Sequence, residues 1–256
     1  MNTRSLTENK YIRLLKTPLA LLVWLGVWYG ASEAMGMEIL VPSPKAVLDS
    51  FAVLLREKEF YVSCFNSLYK VILGWGTGLI AGTALGILTH LSGILKALFE
   101  PVLHIIKATP VASFIVLALV LMSSKNVPVF TCALISVPIV WANIKEGLSS
   151  PDKKIKEMAE FFNMPLKNRI KYIYIPSLLP YFSAAAKTAM GLSWKASIAA
   201  EVICTPGKTI GAGIQDAKIY LESPSLFAWT ITVIILSVLL EKLLGLLLKN
   251  RRNGND

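Results

Sequence analysis

Six apolar stretches, at about 18–35, 67–91, 102–122, 127–144, 177–204 and 225–248, leave this chain little freedom of fold. A bilayer core takes about 20 mostly apolar residues per helix. In lipid every backbone N–H and C=O has to be paired within the protein, which an open strand edge cannot do. The stretches therefore read as helices, and the expected class is an all-α polytopic membrane protein with six transmembrane helices. Composition agrees, because 54% of the 256 residues are hydrophobic and only 16% are charged. A soluble domain carries about 25% charged residues. The third and fourth stretches meet across the short Ser123-Ser-Lys-Asn126 turn. The first is apolar from Pro18 to Gly30 with no A-x-A site after it, so it is expected to be a retained span.

The net charge of +10 could suggest nucleic acid, but the basic residues form no single stripe with interleaved aromatics. They sit in short segments between the apolar runs. One side would hold Arg4, Lys10, Arg13 and Lys16, then Lys96 and Lys107, then Lys249, Arg251 and Arg252. The same side takes the 145–176 segment with Lys145, Lys153, Lys154, Lys156, Lys167, Arg169 and Lys171. The opposite side has fewer: Lys45, Arg56, Lys58, Lys70, Lys125, Lys208 and Lys218. The positive-inside rule then puts both termini and the 145–176 loop in the cytoplasm. The expected organisation is a cytoplasmic tail at 1–17, a membrane domain at 18–248 and a second cytoplasmic tail at 249–256. The 36–66 segment faces outward, with Val41-Pro-Ser-Pro44 leading into a surface helix at 45–56.

Little here carries reaction chemistry. Cys64, Cys132 and Cys204 are far apart with no C-x-x-C spacing, and His90 and His104 stand alone, so no metal or redox site is expected. Gly207-Lys208-Thr209 ends like a P-loop, but the first glycine of that pattern falls at Val202. Gly211-Ala-Gly213 is an incomplete dinucleotide fingerprint with no strand before it. With no nucleotide site and no cofactor expected, the chain is read as a non-enzyme. Span 2 carries Gly74, Gly78, Gly82 and Gly86, a glycine at every fourth residue and so on one helix face. Such a ridge lets another helix backbone come close, and a packing seam is the expectation.

The 145–176 loop is the most informative segment. Ser150 can cap a helix, Pro151 suits its first turn and Asp152 favours the positive end of the dipole. Ile155, Ala159 and Phe162 then make an apolar stripe, and the helix should stop at Asn163 in a left-handed turn. A second basic helix, Leu166–Tyr174, leads to Pro176 and span 5. On amphipathicity alone the pair could lie on lipid or insert into a partner's groove.

Glu157, Met158, Ala159, Asn163, Ile173 and Pro176 stand at the intervals of the EAA loop, the ATPase-docking signature of ABC importer permeases, with Asn163 where the family has glycine and Met158 at the middle alanine. The chain resembles that family, in its type I, binding-protein-dependent branch. Val41-Pro-Ser-Pro44, Thr109-Pro110, Pro138 with Asn143 and Gly147, Ser193-Trp-Lys195, Ala199-Ala-Glu201 and Gly211-Ala-Gly213 are similar to the subgroup importing sulfonates, nitrate, taurine or thiamine-pyrimidine precursors. The resemblance implies a MetI-like six-helix bundle in a prokaryotic plasma membrane. Its partners would be a dimer of ABC ATPase subunits, a second permease (a homodimer is expected) and an extracytoplasmic solute-binding protein. ATP hydrolysis would belong to the separate ATPase chain, and Glu157 to Pro176 would couple it to transport.

The ionisable residues of span 5 complete the reading. A charge near the bilayer centre costs at least about 2.5–3.5 kcal/mol, so such a residue should face a cavity or a partner. Lys187 can snorkel to the interface. Trp194, Lys195, Ser197 and Glu201 are candidates for lining a translocation path, with Lys195 favouring an anionic solute. Alternatively Lys195 pairs with Glu201, although six residues is poor spacing for one helix face. A stand-alone secondary transporter or channel is the rival function, and it would be expected to show midplane ion ligands in repeated halves. A membrane enzyme would need convergent carboxylates or histidines in the spans.

Overall fold

The computed structural model describes residues 10–252, with side chains for 18–248. The basic residues expected in the two tails lie outside the described side chains. Among the described residues every regular element is helical: α1 (Lys10–Met35), α2 (Pro44–Leu54), α3 (Lys58–Leu91), α4 (Gly93–Ala108), α5 (Val111–Leu121), α6 (Val127–Ser149), α7 (Lys153–Phe161), α8 (Leu166–Arg169), a π-helical turn (Ile170–Tyr174), α9 (Ile175–Cys204), α10 (Ile210–Ile219) and α11 (Ser223–Arg252).

Three of these, α3, α6 and α11, are long and apolar enough to cross a membrane. The third apolar stretch differs from the single straight span expected of it. It is split into α4 and α5, which are long and apolar enough to cross only as a pair, bent by 107°. The bend falls at Thr109-Pro110, where Thr109 is extended (φ −80°, ψ 135°). Proline crowds the preceding residue out of helical geometry and brings no N–H of its own, so the helix ends there and a new one starts. The α9 helix is less apolar, carrying Lys187, Lys195 and Glu201 among many Ala and Ser. Much of it is buried in protein, including Ala185, Ala189, Ser193 and Trp194.

The centre of the bundle is α6, held between α3 and α9. Gly74, Gly78, Gly82 and Gly86 all face α6. A Cβ placed on Gly82 would stand 2.7 Å from the Val140 Cβ, and one on Gly86 would stand 2.6 Å from the Ile144 Cγ2. At Gly74 the obstacle is the backbone oxygen of Val129, at 2.5 Å. Off the seam, Gly76 has open space around it. Ser136, against which Gly78 packs, also meets α9: its Oγ lies 2.7 Å from Ser193 Oγ, and Ser193 donates to the Cys132 carbonyl at 3.1 Å. Small side chains at each contact bring the three backbones close, as dispersion-driven packing in lipid requires.

The 36–66 segment packs at one end of the bundle. Ser43 caps α2 by accepting from the Ala46 N–H at 3.2 Å, with Pro44 as its first residue. Trp28 and Ser32 of α1 donate to the Pro42 and Val41 carbonyls at 3.1 and 3.0 Å, which fastens α1 to the same lead-in. Phe60, Trp194, Met190, Ile210 and Trp229 form the largest apolar cluster, joining α3, α9, α10 and α11.

Candidate functional site

Three places on this scaffold hold the sequence-derived candidates, and the loop after α6 holds most of them. Its first helix, α7, is capped by Asp152, which accepts from the Lys154 N–H at 2.9 Å. This corrects the expectation for Ser150, whose hydroxyl instead donates back to the Gly147 carbonyl at 2.8 Å. Ser150 is the helical end of α6 (φ −68°, ψ −25°) and so cannot take the extended geometry of an N-cap.

The end of α7 is a Schellman turn. Asn163 takes φ 49°, the Met164 N–H donates to the Ala159 carbonyl at 2.9 Å, and the Asn163 N–H donates to the Glu160 carbonyl at 3.0 Å. Asparagine reaches this left-handed region more easily than most residues with a Cβ. Arg169, which the sequence singled out only as one of many loop cations, clamps that turn. Its Nε donates to the Met164 carbonyl at 2.9 Å, its Nη2 to the Ala159 carbonyl at 3.3 Å, and its Nη1 lies 3.8 Å from Glu160 Oε1. Guanidinium donors fixed in a fork can satisfy two carbonyls of a helix end at once.

Ala159 is buried, but Ile155, Met158, Phe161 and Phe162 are exposed, Phe161 by 82%. Glu157 is exposed beside them, 3.6 Å from Lys153 one turn earlier. The second basic helix is not a separate element. The α8 helix runs through the π-helical turn straight into α9, and the Ile175 N–H donates to the Ile170 carbonyl five residues back. Ile173 is buried within it, and Pro176 is the second residue of α9. The turn that ends the exposed patch is thus clamped to the head of the continuous α8–α9 helix. We expect Arg169→Ala to leave the Ala159 and Met164 carbonyls without their side-chain donor, a loss of about 1 kcal/mol in a solvated turn. Hydrogen exchange of amides 153–164 should speed up several-fold while α6 and α9 are unchanged; unaltered exchange would remove the clamp from this account.

The second place is the cavity of about 500 Å³ in the elbow between α4 and α5, closed by α6 and α9. Lys195 lines it, together with Leu192 and Ala199 on the same face of α9. Trp194, Ser197 and Glu201 do not. All three are buried within the protomer, because at about 100° per residue they fall on the opposite side of the helix. Of the four expected path residues only Lys195 faces this space.

The third place is Glu201 itself, fully buried at the end of α9. The Ser67 hydroxyl donates to its Oε2 at 2.7 Å and the Gly211 N–H donates to the same oxygen at 3.2 Å. Ser67 Oγ in turn accepts from the Ile210 N–H at 3.0 Å. Lys70 Nζ lies 4.0 Å from Glu201 Oε1. Its cation is therefore Lys70 of α3 rather than Lys195, and its carboxylate sits at the N-terminus of α10, where amide groups point outward. Gly211 is required there, since a Cβ would stand 2.6 Å from the Val202 nitrogen. Ser67 and Lys70 gave no signal in the sequence, since nothing in a linear pattern ties them to a residue on another helix.

A family model described as "Binding-protein-dependent transport system inner membrane component" matches residues 76–253, which run from α3 past the end of α11. The chain belongs to that family. It is an ABC importer permease of type I, the membrane component of a transport system. Among its relatives is a probable ABC transporter permease protein of Brucella melitensis biotype 1, 26% identical over 227 residues, 88% of this chain and 91% of that one. Another is a nitrate import permease of Leptolyngbya laminosa, 25% identical over 240 residues, 91% of this chain and 86% of that one. The fold matches a crystal structure of an amino acid ABC transporter with histidines, at a TM-score of 0.62 and 19% identity over 75% of the permease and 94% of that chain.

Proposed function

We propose that the permease forms half of a translocation path and couples a partner's ATP hydrolysis to uptake of a small solute. The observation that carries this reading is the loop: an apolar patch of Ile155, Met158, Phe161 and Phe162 exposed on a capped helix whose terminal turn is clamped by Arg169, at the head of the continuous α8–α9 rod. Exposed apolar groups on a rigid mount suit a groove on another protein. In this reading α7 seats in an ABC ATPase, two ATPase subunits lie beneath two permeases, and a second copy of this chain completes the path. Both termini and the 145–176 loop are cytoplasmic, and six spans cross the prokaryotic plasma membrane, with α1 and α9 completing the count. An extracytoplasmic binding protein delivers the solute. Sulfonates, nitrate, taurine and thiamine-pyrimidine precursors are the candidate classes.

The mechanism follows from the mount. When ATP closes the ATPase dimer, α7 moves with its groove, and the unbroken α8–α9 rod carries that motion to the bundle. Closure shifts the outward–inward equilibrium only by as much as the ATPase prefers one loop position over the other. Glu157→Lys should uncouple ATP use from uptake, because it replaces the anion of the Lys153 pair with a fourth cation on a short helix. With Phe162→Asp in addition, co-purification of the cognate ATPase should fall at least tenfold while the permease keeps its gel-filtration profile. Full co-purification and transport in that double variant, or solute flux through liposomes by this chain alone, would overturn the reading.

A further inference from the structure

The elbow cavity holds a second cation that the sequence assigned elsewhere. Lys107, counted by position among the cytoplasmic charges, lines the same space as Lys195. Both side chains are exposed, and among the described residues neither has a carboxylate within ion-pair distance. The other described lysines nearby are engaged: Lys145 is 2.6 Å from Glu100 Oε1, and Lys70 is beside Glu201. No acidic residue is among those lining the cavity. Its walls are apolar, formed by Ile106, Phe114, Leu134, Ile135 and Leu192. Val111, the first residue of α5, also lines it, so an 11-residue helix starts at the cavity wall with its unpaired amides.

Two ammonium groups with no carboxylate partner line one apolar pocket, which gives it a positive potential. An anion between them offsets their mutual repulsion, and the apolar walls focus that field. We propose that this cavity is a subsite for a small organic monoanion, with Lys107 and Lys195 holding its charged oxygens and the apolar walls taking its alkyl group. The proposal rests on the permease reading and deepens it: among the candidate solutes it selects those with an oxyanion head over neutral heterocycles. It also gives the bend at Thr109-Pro110 a purpose, since a straight third span would not fold Lys107 and Val111 around one space.

The test uses the full chain in nanodiscs and saturation-transfer NMR on the methyl signal of methanesulfonate, with dimethyl sulfone as the neutral probe of the same shape. Methanesulfonate should show saturation that falls at least tenfold in Lys107→Met/Lys195→Met and several-fold in each single variant. Lys195→Arg should retain it, as should Lys187→Met, whose lysine is not among the cavity-lining residues. Dimethyl sulfone should give little signal with any form. No saturation by methanesulfonate in the unaltered protein, an equal response to the neutral probe, or an undiminished signal in the double variant would each overturn the anion site. ATPase co-purification, measured on the same preparations, reads the permease assignment separately.

Discussion

Gly82→Leu should prevent the permease from reaching its folded bundle. A Cβ at this position already meets the Val140 Cβ at 2.7 Å and the Val137 backbone oxygen at 2.8 Å, and the remaining leucine atoms have no room beyond it. Overpacking commonly costs about 1–3 kcal/mol where side chains can yield. Here one obstacle is backbone, so α3 and α6 must separate, and with them the contacts along the other three seam glycines. A membrane helix pair held mainly by close packing has little in reserve once its backbones move apart. We expect loss of the monodisperse gel-filtration peak and of any thermal transition. The control lies on the same helix: Gly76→Leu enters open space and should behave as the unaltered protein. If the two variants melted alike, the seam would not be what holds α3 to α6.

Glu201→Leu should be nearly as damaging, through the hydrogen bonds it removes. It removes the acceptor of the Ser67 hydroxyl and the Gly211 N–H, and leaves Lys70 without its carboxylate. A buried polar group left unpaired costs about 1–3 kcal/mol, and both donors to Glu201 Oε2 are left so, while Lys70, at 4.0 Å and partly exposed, adds less. The loss should fall on the α9–α10 junction, where Thr205, Gly207 and Lys208 all take positive φ. Proteolytic nicking at 205–209 should therefore appear together with a lowered melting temperature. Glu201→Gln keeps an oxygen for Ser67 and Gly211 and should lose less than half as much. Equal losses for Leu and Gln would mean that charge, rather than hydrogen bonding, is what this residue supplies.

Much of the loop's architecture could be read from residues alone. The stripe at Ile155 and Phe162 and the asparagine at 163 are local signals, and short helices obey local rules of period and capping. The cap itself was misassigned by two residues. Ser150, Pro151 and Asp152 are all acceptable helix starts, and what chose among them was where α6 stopped. That Trp194, Ser197 and Glu201 turn away from the cavity has a similar origin. A polar residue in a membrane span has to avoid lipid, but the sequence does not say whether it turns to a path or to a neighbouring helix. In α9 the small and polar face packs against α6, α3 and α10, and only Lys195 is left for the cavity.

The chain by itself determined the helical class, the apolar segments and the family, because these follow from composition, period and fixed intervals along one strand of sequence. The fourfold glycine spacing likewise announced a smooth face on α3. Only the tertiary structure decided that α6 fills that face, that Glu201 belongs with Ser67, Lys70 and the α10 amides, and that Lys107 and Lys195 share a cavity. Each of these joins residues from separate helices. Helix formation is driven by neighbours three and four residues apart, whereas a partner on another helix is chosen by shape and charge across the whole bundle.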